Sequence, residues 1–240
     1  PDCATTLHNA AFYNCRKLKK LSVGTAISGI GSDEFMNDSQ LEHLIIRGKD
    51  SEATGLPLIL ERIAENITVS FCPNSSSSPE SIVFFPEYYE WLDEISPAHI
   101  FSRSIHGEGF RMRKSFENGI LNYRKYDSCL ENALTVESPE SLCKIALNRL
   151  RWPSRLEDIF REKYENVIKK YMGTAFTLAV KDQDFPMLQF ICEHFSPDAS
   201  ALASAIDQCI EKEWGEGNAF LIEAKHKSFS KKTFDFDLDF

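Results

Sequence analysis

The sequence predicts an α/β chain with a repetitive first seventy residues and a mostly helical second half. Three observations carry this. Apolar triads recur in phase at Leu18, Leu21 and Val23, at Leu41, Leu44 and Ile46, and at Ala64, Ile67 and Val69, each triad repeating the last at one fixed period. Strand-like "ITVSF" and "SIVFF" flank the Ser-rich "CPNSSSSPE" (72–80). From about residue 127 onward, apolar residues fall three and four apart, the spacing of a helix with one buried side.

Composition sets the bounds. The 240 residues include 18 Phe and are 42% apolar, enough to bury a sizeable core in one large domain or two small ones. A net charge of −9 argues against a general nucleic-acid binder, which needs a positive footprint to displace counterions. No apolar run approaches a membrane span, so no membrane partner is expected. The chain opens at Pro1, which suggests a processed chain or a fragment. Seven widely spaced cysteines, odd in number, fit reduced thiols and a cytoplasmic or nuclear location better than a disulfide framework. Asn37, Asn66 and Asn74 match the glycosylation triplet, which chance explains in a chain rich in Ser and Asn.

Within the repeat, "CRKLKKLSV" (15–23) places a Cys three residues before the first Leu, and "ISGIGSDEFMNDSQLEHLII" (27–46) follows it with Asp38 at the Cys position. The period and the LxxLxV pattern resemble a leucine-rich repeat of the cysteine-containing subtype found in leucine-rich F-box proteins. The resemblance spans roughly residues 5–71, with Ala64 replacing the first Leu of the third unit. It implies short parallel strands with convex helices or irregular segments, stacked on one shared core. The triads then point inward, and Lys20, Ser22, His43, Ile45, Thr68 and Ser70 line an open face that binds a protein partner. The glycines of "GTAISGIGSDEF" (24–35) match no phosphate-binding loop, and a turn after each repeat strand accounts for them.

Residues 72–126 read as a linker region with a long hairpin as one option, a short helix at "PEYYEWLDEI" (86–95), and a loop with a basic edge at "HGEGFRMRK" (106–114). Ser-Pro pairs begin at 78, 96, 138 and 196. Each is either a site for proline-directed phosphorylation or the start of a turn or helix. Residues 127–226 are expected to form the helical domain. Asp127 caps a first helix, and "PESLCKIALNRLR" forms a second. A third starts at Ser154, with Glu157 completing a capping box. Its apolar side is Leu156, Ile159, Phe160, Tyr164, Val167, Ile168 and Tyr171. Two helical pairs follow, 174–180 with 184–195 and 199–211 with 218–225, and "TAFTLAVKDQDFPMLQFICEH" is loosely similar to an ankyrin pair. The tail, 227–240, ends in the alternating "FDFDLDF", an edge strand or a partner-binding segment.

One stretch suggests docking. In "SLCKIALNRLRWPSRLEDIF" (141–160), Ser141, Leu142, Ala146 and Leu150 fit S-L-x-x-x-(C/A)-x-x-x-(aliphatic). This resembles the elongin-binding box of SOCS-box substrate receptors, and Trp152, Pro153 and Leu156 are similar to its cullin-selecting part, at a shorter separation than in that family. The resemblance implies a helix laid in the groove of elongin B/C, with a cullin recruited beyond it. The competing reading makes Leu142, Ile145, Ala146 and Leu150 core residues, and the exposure of Leu142 and Ala146 separates the two. No H-E-x-x-H, C-x-x-C, G-x-S-x-G or P-loop occurs, so no metal, cofactor or catalytic role is expected. The functional expectation is a non-catalytic adaptor. Its most specific form is a ubiquitin ligase substrate receptor, and its plainer form a scaffold.

Overall fold

In a computed structural model the spacing of the first two apolar triads is carried by backbone pairing. Residues 2–38, 40–74, 78–95 and 100–232 are described; the "FDFDLDF" segment and the Ser96-Pro97 pair lie outside them. Strand β1 (Thr6–Leu7) comes first, then β2 (Lys20–Gly24), β3 (Gly29–Ile30) and β4 (His43–Arg47). Thr6 lies opposite Gly29 and Lys20 opposite His43, both in parallel pairs and both separated by one period. Between these ladders the Phe12 N–H donates to the Glu34 carbonyl at 3.0 Å, and the Phe12 and Phe35 rings stack at 5.6 Å. Left-handed backbone repeats too, at Ala10 and Asp33 and at Asn14 and Asn37, mostly on the short polar residues that tolerate it.

A turn follows β2 at Thr25 and Ala26, as expected, without a left-handed glycine. Positive φ at glycine occurs among the described residues at Gly107 and Gly119, not in the 24–35 stretch. Gly24 is needed for close approach, because a Cβ there would lie 2.2 Å from the Asp2 carbonyl oxygen.

Helix α1 (Leu56–Leu60) and strand β5 (Ile67–Phe71) continue the unit. The third triad is out of phase in space. Leu44 pairs with Val69 instead of Ile67, two positions beyond the period. The segment before β5 makes the helical turn of α1, burying Leu56, Ile59 and Leu60 completely, and this lengthens it relative to the earlier loop. A shift of two leaves every side chain on its expected side of the sheet. Strand β6 (Ser81–Phe85) pairs antiparallel with β5, so the hairpin option is the one realised, and the sheet order is β2-β4-β5-β6. Leu21, Leu44, Val69 and Val83 form one buried cross-strand row. On β6 the Phe84 carbonyl accepts from the Tyr126 hydroxyl at 2.5 Å, which satisfies part of a strand edge.

The stretch expected to be a short helix is strand β7 (Tyr89–Ile95), paired antiparallel with β8 (Ile100–His106). Aromatic side chains favour the pleated form, and Tyr89 stacks on its cross-strand partner His106 at 4.8 Å. Helix α2 (Gly109–Arg113) leads to β9 (Phe116–Glu117) and β10 (Ile120–Leu121). Asn118 and Gly119, at φ 50° and 80°, make the two-residue turn between these two strands.

Helices α3 (Tyr123–Ser128), α4 (Leu130–Val136) and α5 (Pro139–Arg151) complete the first of two units, and the chain passes to the second after Glu162. Asp127 is no cap. It lies buried inside α3, and Asn122 caps that helix through the Lys125 N–H. Ser138 caps α5 by accepting from the Ser141 N–H at 3.1 Å, with Pro139 in the first turn. Helix α6 (Asp158–Lys170) begins beyond Ser154. Ser154 cannot open it: its carbonyl accepts from Arg149 at 3.0 Å, and Arg155 follows at φ 49°.

The second unit holds most of α6, then α7 (Met172–Lys181), α8 (Phe185–Phe195), α9 (Ala199–Glu211) and α10 (Gly215–Lys232). Asp184 and Asp198 cap α8 and α9 through the Met187 and Ala201 N–H groups. Helix α9 packs on α7 and α10, and Phe176, Leu188, Ile191, Leu202, Ala205 and Leu221 are buried.

Candidate functional site

The outward side of the four-stranded sheet brings the six expected face residues together. Register places Lys20, His43, Thr68 and Phe84 in one row and Ser22, Ile45, Ser70 and Ile82 in the next. Alternation along each strand puts both rows on the side opposite the Leu21–Leu44–Val69 row. Lys20 is exposed, while Ser22, His43, Ile45 and Thr68 are half-buried. Ser70 is only 3% exposed. At the β6 end the buried Phe84 ring has the Lys144 ammonium 5.4 Å from its centroid. The accessible part is therefore the β2–β4 half, narrower than the sequence suggested.

Side-chain bonds tie the rows across strands. His43 Nε2 and Ser70 Oγ are 2.6 Å apart, and Arg47 Nε donates to Ser22 Oγ at 3.0 Å. Burial, then the Lys20 charge, pushes the His43 pKa below its ordinary value, favouring the neutral ring. Arg47 and Lys20 leave this half of the face cationic, with the Ser22 hydroxyl between them. Such a surface donates hydrogen bonds to carboxylates and phosphates. Cys72 follows β5, and burial raises its thiol pKa against the opposing Arg47 charge, so it is a poor nucleophile. Burial also raises the thiols of Cys129, to about 11, and of Cys143 and Cys192, each to about 12.

The residues of the elongin-box pattern are placed differently from a docking ridge. Leu142 is 1% exposed, Ala146 0% and Leu150 7%. Every residue from Ile145 to Leu150 is buried, so α5 is a central helix covered on all sides. Ser141, Trp152 and Leu156 are half-buried and Pro153 is exposed. Docking this segment as a helix in a groove would require opening the core around Leu142 and Ala146.

Burial also has its own polar pattern, which sequence reasoning missed. Arg149 grips Asp127 with two bonds of 2.8 and 2.9 Å, and both side chains are fully buried. The Arg149 guanidinium lies 4.3 Å from the Tyr123 ring centroid. The Tyr123 hydroxyl lies 2.8 Å from Asp50 and 2.9 Å from Ser81, and Arg155 pairs with Asp50 at 3.0 Å. Arg113 donates to the carbonyls of Ile63, Glu65 and Pro86, and burial lowers its pKa to about 10. The Asp50–Arg155 partners lie 105 residues apart, so no local spacing announces them. These groups position the sheet against α3 and α5.

No protein-family model, curated protein or solved structure matches this chain. Among the described residues, no helix is long and apolar enough to cross a membrane.

Proposed function

We propose that this chain is a non-catalytic protein-interaction module, built on a leucine-rich-repeat-like segment, that captures an acidic partner on the outward face of its sheet. One observation carries the reading: Lys20, Ser22, His43 and Ile45 stand side by side on the accessible β2–β4 half, with Arg47 beside them. Parallel strands paired one period apart, together with the repeated left-handed positions, support the repeat reading. A partner carboxylate or phosphate would meet two cations and the Ser22 hydroxyl there, while Ile45 supplies apolar contact.

Recruitment of elongin B/C and a cullin through Ser141–Phe160 is the more specific version. The burial of Leu142 and Ala146 favours the scaffold without it. Partners captured by the wild-type chain and by Lys20→Glu/Arg47→Glu, identified by mass spectrometry, test the main reading. Partners lost by the double variant alone support it, and an identical set of partners rejects it. Titration of purified chain with elongin B/C tests the ligase version, and absence of binding removes it.

A further inference from the structure

A second surface carries the opposite charge. The base of the β7–β8 hairpin and the α4–α5 turn enclose a cleft of about 410 Å³, lined among others by Glu87, Tyr89, Ile105, His106, Val136 and Glu137. Glu137 Oε1 accepts from the Glu108 N–H at 2.7 Å. Burial, then the nearby Glu108 and Glu87 charges, raises its pKa even though the hydrogen bond and Arg113 oppose the rise. The Glu108 carboxylate itself is 1% exposed, bonded to Asn132 and 3.3 Å from Arg111. Negative charge is thus concentrated beside a stacked Tyr89–His106 pair.

The hairpin above the cleft exposes large apolar side chains on both of its sides, between charged residues such as Glu90 and Arg103. Tyr89, Trp91, Leu92 and Phe101 are each more than half exposed, and Val136 at the cleft rim is 52% exposed. Two strands alone hold together poorly in water, and the exposed Tyr89 and Trp91 rings on the side of the hairpin that carries His106 offer a contact surface beside the cleft.

We infer that the cleft holds an arginine or lysine side chain of a partner polypeptide, whose flanking residues lie against Tyr89 and Trp91 on the hairpin. Charge selects the occupant. Glu87 and Glu137 pair with a cation, the face of Tyr89 offers it a cation–π contact, and an acidic segment would be repelled. This surface is independent of the cationic sheet face and is expected to bind whether or not that face does.

The test is an amide-shift titration of the full chain with the blocked peptide Gly-Ala-Arg-Leu-Gly and with its citrulline counterpart, which keeps the shape and loses the charge. Shifts at Glu87, Tyr89, His106 and Glu137 with the arginine peptide alone are expected. Glu87→Gln/Glu137→Gln should weaken binding about tenfold, and Lys20→Glu should leave it unchanged. Glu87→Gln alters only an exposed side chain and should by itself weaken binding about threefold, which separates loss of the site from loss of the fold. Equal response to the citrulline peptide, shifts mapping elsewhere, or full affinity in folded Glu87→Gln would each overturn the inference.

Discussion

At the residue scale the interior is organised by a few buried charges. Arg149 and Asp127 are both fully buried and joined by two bonds, so removing one takes away the opposite charge beside the other. Arg149→Met is expected to cost about 3–5 kcal/mol, read as a lower urea midpoint at unchanged slope. Asp127→Leu/Arg149→Met should recover most of that loss, because the penalty belongs to the uncompensated charge. A double variant no more stable than the single one would show that the pair is worth more than its packing. His43 gives a pH dependence. Its folded-state pKa lies below the ordinary value of about 6.5, so the unfolded chain takes up a proton first as pH falls. The stability contributed by the neutral ring is therefore present above about pH 6.5. It declines as pH falls from there to the folded-state value. Denaturation of His43→Asn across this range should show a flatter decline than wild type, and an unchanged slope would remove His43 as the source.

At the element scale α5 decides between core and docking. Leu142→Ala is expected to cost about 2–5 kcal/mol in thermal or urea unfolding, as a cavity in packed core does. A cost near zero would return Leu142 to the surface and restore the docking reading. Ser138→Ala should cost about 1 kcal/mol by freeing the Ser141 N–H, measured in the same way. The helices expected over 184–195 and 199–211 are found, because their apolar spacing is local, and Asp184 and Asp198 open them as caps. Strand β7 was not readable beforehand, since Glu and Leu in "PEYYEWLDEI" fit a helix equally well and β8 supplies the preference for a strand. The start of α6 was misplaced for a related reason. Ser154 has capping chemistry, but a side chain from the preceding helix engages its carbonyl.

At the scale of the whole molecule, a chain of net charge −9 places Lys20 and Arg47 on one half of its sheet and Glu87 and Glu137 in a separate cleft, the charge pattern that the proposed acidic and basic partners would read. Lys20→Glu/Arg47→Glu should weaken an acidic partner about tenfold, and that affinity should fall as salt rises from about 50 to about 500 mM. Salt-independent binding would place the partner elsewhere. Without help from the fold, the sequence determined the spacing of the first two triads, the side of the sheet on which Lys20, Ser22, His43, Ile45, Thr68 and Ser70 stand, and most helices of the second unit. Those features depend on strand alternation and on contacts within one helical turn, both of which are written locally. Only the tertiary structure decided that β5 pairs two positions out of phase, that α5 is core, and that Arg149 and Asp127 find each other. An apolar stripe shows that one side must be covered, but what covers it comes from residues far away in the chain.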